Sequence, residues 1–113
     1  MEHEEWTKHE KKVAHAAFEK ALAREKEQFV GEVRARAANI RSIDDVWQLE
    51  RDIREKAHSM DERYDFRSSV LIYVLAGFVR EGWISMDDLA ELGDDKRQKI
   101  ATLLYLTNQT SVD

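Results

Sequence analysis

Histidines and carboxylates are the residues in this chain that could hold a metal or move a proton, and their spacing argues against both. Of the four histidines, His3, His9 and His15 recur every six positions. On a helix each stands about 600° on from the last, so the three imidazoles do not converge. Convergence needs residues at i and i+4, as in H-E-x-x-H, but His3-Glu4 and His9-Glu10 lack the second histidine. His58 falls beside charged residues and reads as a surface or dimer-contact side chain, not a base. A nucleophile would need a hydroxyl next to a histidine and a third group to orient it. Ser68 and Ser69 have no histidine after them, which leaves only His58. Carboxylates are plentiful at Asp44, Asp45, Asp61, Asp65, Asp87 and Asp88, but four of these six fall in predicted first helical turns. There the helix dipole already accounts for an acid. With no cysteine and no glycine-rich phosphate loop, thiolate and phosphate chemistry also drop out. The expectation is a binding protein with no catalytic residues, no cofactor and no metal.

The elements that carry these side chains are helices. The 113 residues contain no proline and four glycines, and 36 % of them are charged, a composition that favours long uninterrupted helices. The stretch Val70 to Val79 has no charge, and its apolar side chains cover nearly the whole helical wheel. It is too short to cross a bilayer, which takes about 20 apolar residues, so a central buried helix is expected. Asp65 is its expected N-cap and Gly82 its C-terminal stop.

Upstream, Phe18, Leu22, Phe29, Val33, Ala37 and Ile40 form a helical seam from about Trp6 to Ile40, interrupted by Glu25. The first dozen residues have little to bury beyond Trp6 and are expected to fray. Ser42-Ile43-Asp44-Asp45 carries a capping-box signature. A second helix follows, with Val46, Leu49, Ile53, Ala57, Met60 and Tyr64 as its core stripe. Trp47 flanks that stripe, beside Glu50, Arg51, Arg54 and His58. It is either an interface anchor or an edge-of-core tryptophan. Ser85-Met86-Asp87-Asp88 opens a short helix through Leu92. A last helix from Lys96 to Leu106 turns Ile100, Leu103 and Leu104 inward, and residues 107–113 form a polar, disordered tail.

Net charge is −5, with 18 basic and 23 acidic residues finely mixed. That describes a solvated helical surface, not a basic stripe along phosphates, so nucleic acid is disfavoured. The start lacks a signal-peptide pattern, which makes the cytoplasm the default, with no membrane insertion. Apolar residues make up 42 % of the chain, many of them alanines that bury little. A lone monomer would leave part of the first seam wet, so a homodimer is the more favourable arrangement.

Three stretches carry a resemblance to a known family: IDDVWQL (43–49), KAHSMDERYDFRSSV (56–70) and FVREGW (78–83). AHAAFEKALARE (14–25) and DDKRQKI (94–100) extend it over about residues 13 to 104. The order and spacing of these stretches are similar to the fluorescence recovery protein family of cyanobacterial photoprotection. The resemblance implies an all-α fold without enzymatic activity. A long first helix and a second helix (1–64) would form an extended antiparallel homodimer, with a small helical head at 65–106.

It also implies a partner, the orange carotenoid protein in its photoactivated red form, bound chiefly through that protein's C-terminal domain. Family members speed its return to the orange resting form and so detach it from the phycobilisome, ending non-photochemical quenching. Trp47 matches the family's dimer-interface tryptophan, with Glu50, Arg51, Arg54 and His58 alongside. Trp47, Tyr73, Lys96 and Lys99 are the implied partner contacts. Where the family has His-Asp and Lys-Arg, this chain has Glu50-Arg51 and Lys56-Ala57. Those departures change the charge around the tryptophan and leave a related or different client open. The alternative is a helical dimeric adaptor with a non-carotenoid client.

Overall fold

The computed structural model describes residues 5–111, with side chains through Thr107. Four helices follow one another: α1 (Lys8–Ala38), α2 (Ile43–Arg63), α3 (Leu71–Glu81) and α4 (Asp94–Ser111), with a 3₁₀ turn at Met86–Leu89 before α4. The described residues contain no strand, and the molecule is elongated, 53 × 36 × 28 Å.

α1 starts where its sequence allows a cap. The Thr7 hydroxyl accepts from Glu10 N at 3.0 Å, and the Glu10 carboxylate accepts from Thr7 N at 3.1 Å, a reciprocal capping box. No breaker interrupts the helix up to Asn39. α1 and α2 then fold back as a hairpin. Glu25 meets Arg63, Phe29 meets Lys56 and Arg36 meets Asp52, so numbers rise on one helix as they fall on the other. At the start of α2, Ser42 Oγ accepts from Asp45 N at 3.4 Å. The reciprocal half of the expected box is displaced by one residue, because Asp45 accepts from Arg41 N.

The core lies at one end of the molecule. Ala14, Ala17, Phe18 and Ala21 of α1 pack against Leu71, Leu75 and Phe78 of α3, with Leu89, Leu92 and Ile100 closing the cluster. Alanines at these α1 positions let the second layer approach closely, and the aromatic rings fill what remains. Phe18 meets Tyr64, Phe66 and Phe78 edge-on at centroid separations of 5.2, 5.2 and 5.7 Å, the preferred geometry for such pairs.

The core draws on residues both before and after 64, with the early part of α1 packed against α3. Several local expectations are corrected. The start of α1 is tied down from Trp6 onward, because Trp6 and Glu10 are both buried; His3 lies outside the described residues. Asp65 does not cap α3. It accepts from the backbone N and guanidinium of Arg67 in the connecting loop, and α3 begins after Val70 with no side-chain cap. The helix after Ser85 ends at Leu89 as a 3₁₀ turn, and a following turn, in which Leu92 N donates to Leu89 O at 3.1 Å, leaves both leucines buried. α4 begins at Asp94 and its backbone stays helical through Ser111, past the expected end at Leu106. Gly82 does stop α3, with φ 85°.

Candidate protein-binding surfaces

Two parts of the surface are apolar and open, and different elements build them. The first is a flank of the hairpin. Ile43 and Trp47 are four apart and share a row on α2 with Glu50, Arg54 and His58. Trp47 is 51 % exposed, and Val30, Ile43 and Ile53 are also open. Only Leu49 of the expected α2 core stripe is buried. The charges around the tryptophan are satisfied along α2 itself. Arg54 pairs with Glu50, Arg51 donates to Gln48 Oε1 at 2.9 Å, and His58 Nε2 stands 3.3 Å from Glu62. The structure thus gathers Trp47, Glu50, Arg51, Arg54 and His58 on one exposed flank. Large apolar side chains left uncovered in a row mark a surface that another molecule can cover.

The second open part lies on the head, on the one side of α3 that the rest of the chain leaves uncovered. Leu71, Ile72, Leu75, Ala76 and Phe78 are buried, but Tyr73 is 65 % exposed. Tyr73, Gly77 and Arg80 step by four and three along the open face. They border a shallow cleft of about 460 Å³, with Val70, Val74 and Phe78 also at its walls.

Between these surfaces sits a buried carboxylate that the sequence showed only as a break in the seam. Glu25 is 1 % exposed. Its oxygens accept from Lys56 Nζ at 2.7 Å, Arg63 Nη1 at 2.9 Å and the Tyr64 hydroxyl at 2.8 Å. Burial pushes this carboxyl up, but the three donors outweigh it and hold it below the usual carboxylate range. Tyr64 is raised, first by burial and then by Glu25, so it stays a donor. Arg63 continues to Glu81 at the end of α3, and Glu81 accepts from Trp83 Nε1 at 3.0 Å. One chain of charge therefore fixes α1, the end of α2 and the end of α3 relative to each other.

A second buried pair holds the far end of the head. Lys96 is 7 % exposed. Its ammonium lies 3.0 Å from Glu10 Oε1 and 4.9 Å from the centre of the Trp6 ring. Glu10 Oε2 also accepts from Gly93 N at 2.8 Å, which supplies an acceptor just before α4 begins. Lys96, expected as a partner contact, is therefore committed inside the molecule, and this explains its burial. Lys99, three residues on, is exposed on α4. Trp47 lies near the hairpin turn, about 25 Å along α2 from Tyr64, so Trp47 and Tyr73 belong to separate surfaces.

The two other described histidines stand beside exposed acids. His9 pairs with Glu91 at 2.9 Å and His15 with Glu19 at 3.7 Å, both exposed. Among the described residues no three His, Asp or Glu side chains converge as a metal site, and no helix is long and apolar enough to cross a membrane.

Comparison with known proteins agrees with this geometry. The family described as photoprotection regulator fluorescence recovery protein matches residues 6–104. The fluorescence recovery protein of Synechocystis sp. PCC 6803 is 40 % identical over 101 residues, 89 % of this chain and 93 % of that protein. Its solved structure superposes with a TM-score of 0.84 at 39 % identity, covering 88 % of this chain and 97 % of the other. The structure of the Fremyella diplosiphon fluorescence recovery protein gives 0.83 at 38 % identity with the same coverage. With the family match running over residues 6–104 and the relative 40 % identical over most of both chains, the chain belongs to the fluorescence recovery protein family of photoprotection regulators.

Proposed function

We propose that this chain is a non-enzymatic regulator that binds photoactivated orange carotenoid protein and accelerates its return to the orange form. It works as a homodimer in the cytoplasm and needs no cofactor. The observation that carries the reading is family membership over residues 6–104, joined to two open apolar surfaces on separate elements. In this reading the Trp47 flank, with Glu50, Arg51, Arg54 and His58, faces a second copy in an extended antiparallel pair. Tyr73 and Lys99 remain on the head to meet the client. Lys96 is left out of the contact set because it is buried against Glu10. Mechanistically, tighter binding to a compact-like form of the client than to its open form is enough to shift its relaxation.

Size-exclusion chromatography of illuminated carotenoid protein with this chain tests the partner. Carotenoid absorbance is expected to move to an earlier, co-eluting peak. Carotenoid protein that elutes unchanged at excess chain overturns the assignment of this client. The second reading, an adaptor for a different client, draws on Glu50-Arg51 and Lys56-Ala57 near Trp47, which depart from the charge pattern expected of the family. Under it, a colourless protein would be retained from the native cytosol.

A further inference from the structure

We infer that Arg80, lying across Gly77 in the open cleft of α3, selects the client by pairing with a carboxylate set beside an apolar side chain. This rests on the reading given under Proposed function and names the chemistry of the segment the head would grip.

Three guanidinium groups border the cleft, and they are not equivalent. Arg63 is held by Glu25 and Glu81. Arg67 lies in a bidentate arrangement on Asp65. Arg80 has no hydrogen bond, ion pair or ring contact among the described residues. Of the acids at the same rim, Asp65 is held by Arg67 and Glu81 by Arg63 and Trp83, while Glu62 stands 3.3 Å from His58, an ion pair only when that histidine is protonated. Arg80 is therefore the one guanidinium of the rim with no acid already on it.

That charge is placed against apolar surface. A methyl group built on Gly77 would stand 3.5 Å from Arg80 Nη2, so the guanidinium lies back along the helix over the glycine. The missing side chain at 77 leaves the cleft floor open between Tyr73, Val74 and Phe78. An arginine in the last turn also complements the helix dipole, but that role needs neither the glycine nor the cleft. The apolar part of the cleft, at Val70, Tyr73, Val74 and Phe78, with one unpaired guanidinium beside it fits an aliphatic or aromatic side chain with an Asp, Glu or terminal carboxylate next to it, since guanidinium favours planar carboxylate partners. The protein as a whole is acidic, with net charge −5, which makes a local cation the feature that distinguishes an acidic segment at this point from one elsewhere on the surface.

The test is the red-to-orange decay of photoactivated orange carotenoid protein, followed by absorbance against chain concentration for wild type, Arg80→Ala, Arg80→Glu, Gly77→Leu and Lys12→Glu. Lys12→Glu makes the same charge change as Arg80→Glu at an exposed position outside the cleft. Arg80→Ala is expected to raise the half-effective concentration up to about fivefold, the scale of an exposed pair. Arg80→Glu should raise it about tenfold or more through like-charge repulsion. Gly77→Leu, which fills the floor, should act in the same direction, whereas Lys12→Glu should stay within about twofold of wild type. Added salt should weaken the wild type more than Arg80→Ala. If wild type accelerates decay and Arg80→Glu matches Lys12→Glu, this inference falls alone. If wild type leaves decay unchanged, the inference falls together with the proposed function.

Discussion

Glu25 and Arg63, 38 residues apart in sequence, meet at 2.9 Å where the hairpin joins the head. The contact holds the end of α2 to α1, and through Glu81 it reaches α3. Removing the carboxylate leaves Lys56, Arg63 and Tyr64 without their shared acceptor. Glu25→Ala should therefore destabilise the fold by about 3 kcal/mol, the low end for a broken buried pair because Lys56 and Arg63 stay partly exposed. Urea unfolding followed by circular dichroism measures this. A change below about 1 kcal/mol would show that the contact is dispensable.

Acid should loosen the other end of the head. Burial pushes the Glu10 carboxyl up, but hydrogen bonds from Thr7, Gly93 and Lys96 more than reverse that and hold it at about 2, against an ordinary 4.5. A carboxyl depressed on folding contributes stability above its unfolded value, and that contribution is lost as pH falls. The loss should run from about pH 4.5 down to about pH 2. Glu10→Gln should be less stable at neutral pH and show a flatter acid limb. Urea midpoints across that range for both proteins check the slope; parallel curves would contradict it.

At Gly82 the backbone φ of 85° is one that a side chain resists. Gly82→Ala should cost about 1 kcal/mol or more, with the cap of α3 as the site of strain. Thermal unfolding reads this directly. An unchanged midpoint would mean the α3 terminus adopts another conformation without penalty.

Trp47→Glu tests the hairpin flank. A carboxylate placed in a desolvated contact is strongly unfavourable, so the proposed homodimer should dissociate. Light scattering at tens of micromolar is expected to give the mass of a pair for the wild type and of one chain for the variant. A variant that stays paired would remove Trp47 as the anchor.

The features legible in the sequence are the ones set locally. The cap at Ser42, the stop at Gly82 and the 3.6-residue spacing of Leu71, Leu75 and Phe78 each depend on neighbours within a turn or two. Long-range pairs were not legible. Glu25 sits in the register of a core seam, and a charge there must recruit donors when buried. That signal marked the position, but nothing near it in sequence pointed to Lys56, Arg63 and Tyr64 as the recruits. Glu10 and Gly93 are 83 residues apart, which hid both the anchoring of the chain start and the burial of Lys96. The wheel of α3 pointed to cover on most sides, which Leu71, Ile72, Leu75, Ala76 and Phe78 have. Which side stays open is a property of the whole fold, and here it is that of Tyr73, Gly77 and Arg80. That Trp47 flanks the α2 stripe was legible because the helical repeat sets it about 100° from Val46; its 51 % exposure was not.

The proposed resetting of an activated carotenoid protein is read in the rate at which red, illuminated orange carotenoid protein turns orange in the dark, with and without an excess of this chain. A faster decay that saturates as the chain is added is expected. A rate that is the same at every concentration would contradict it.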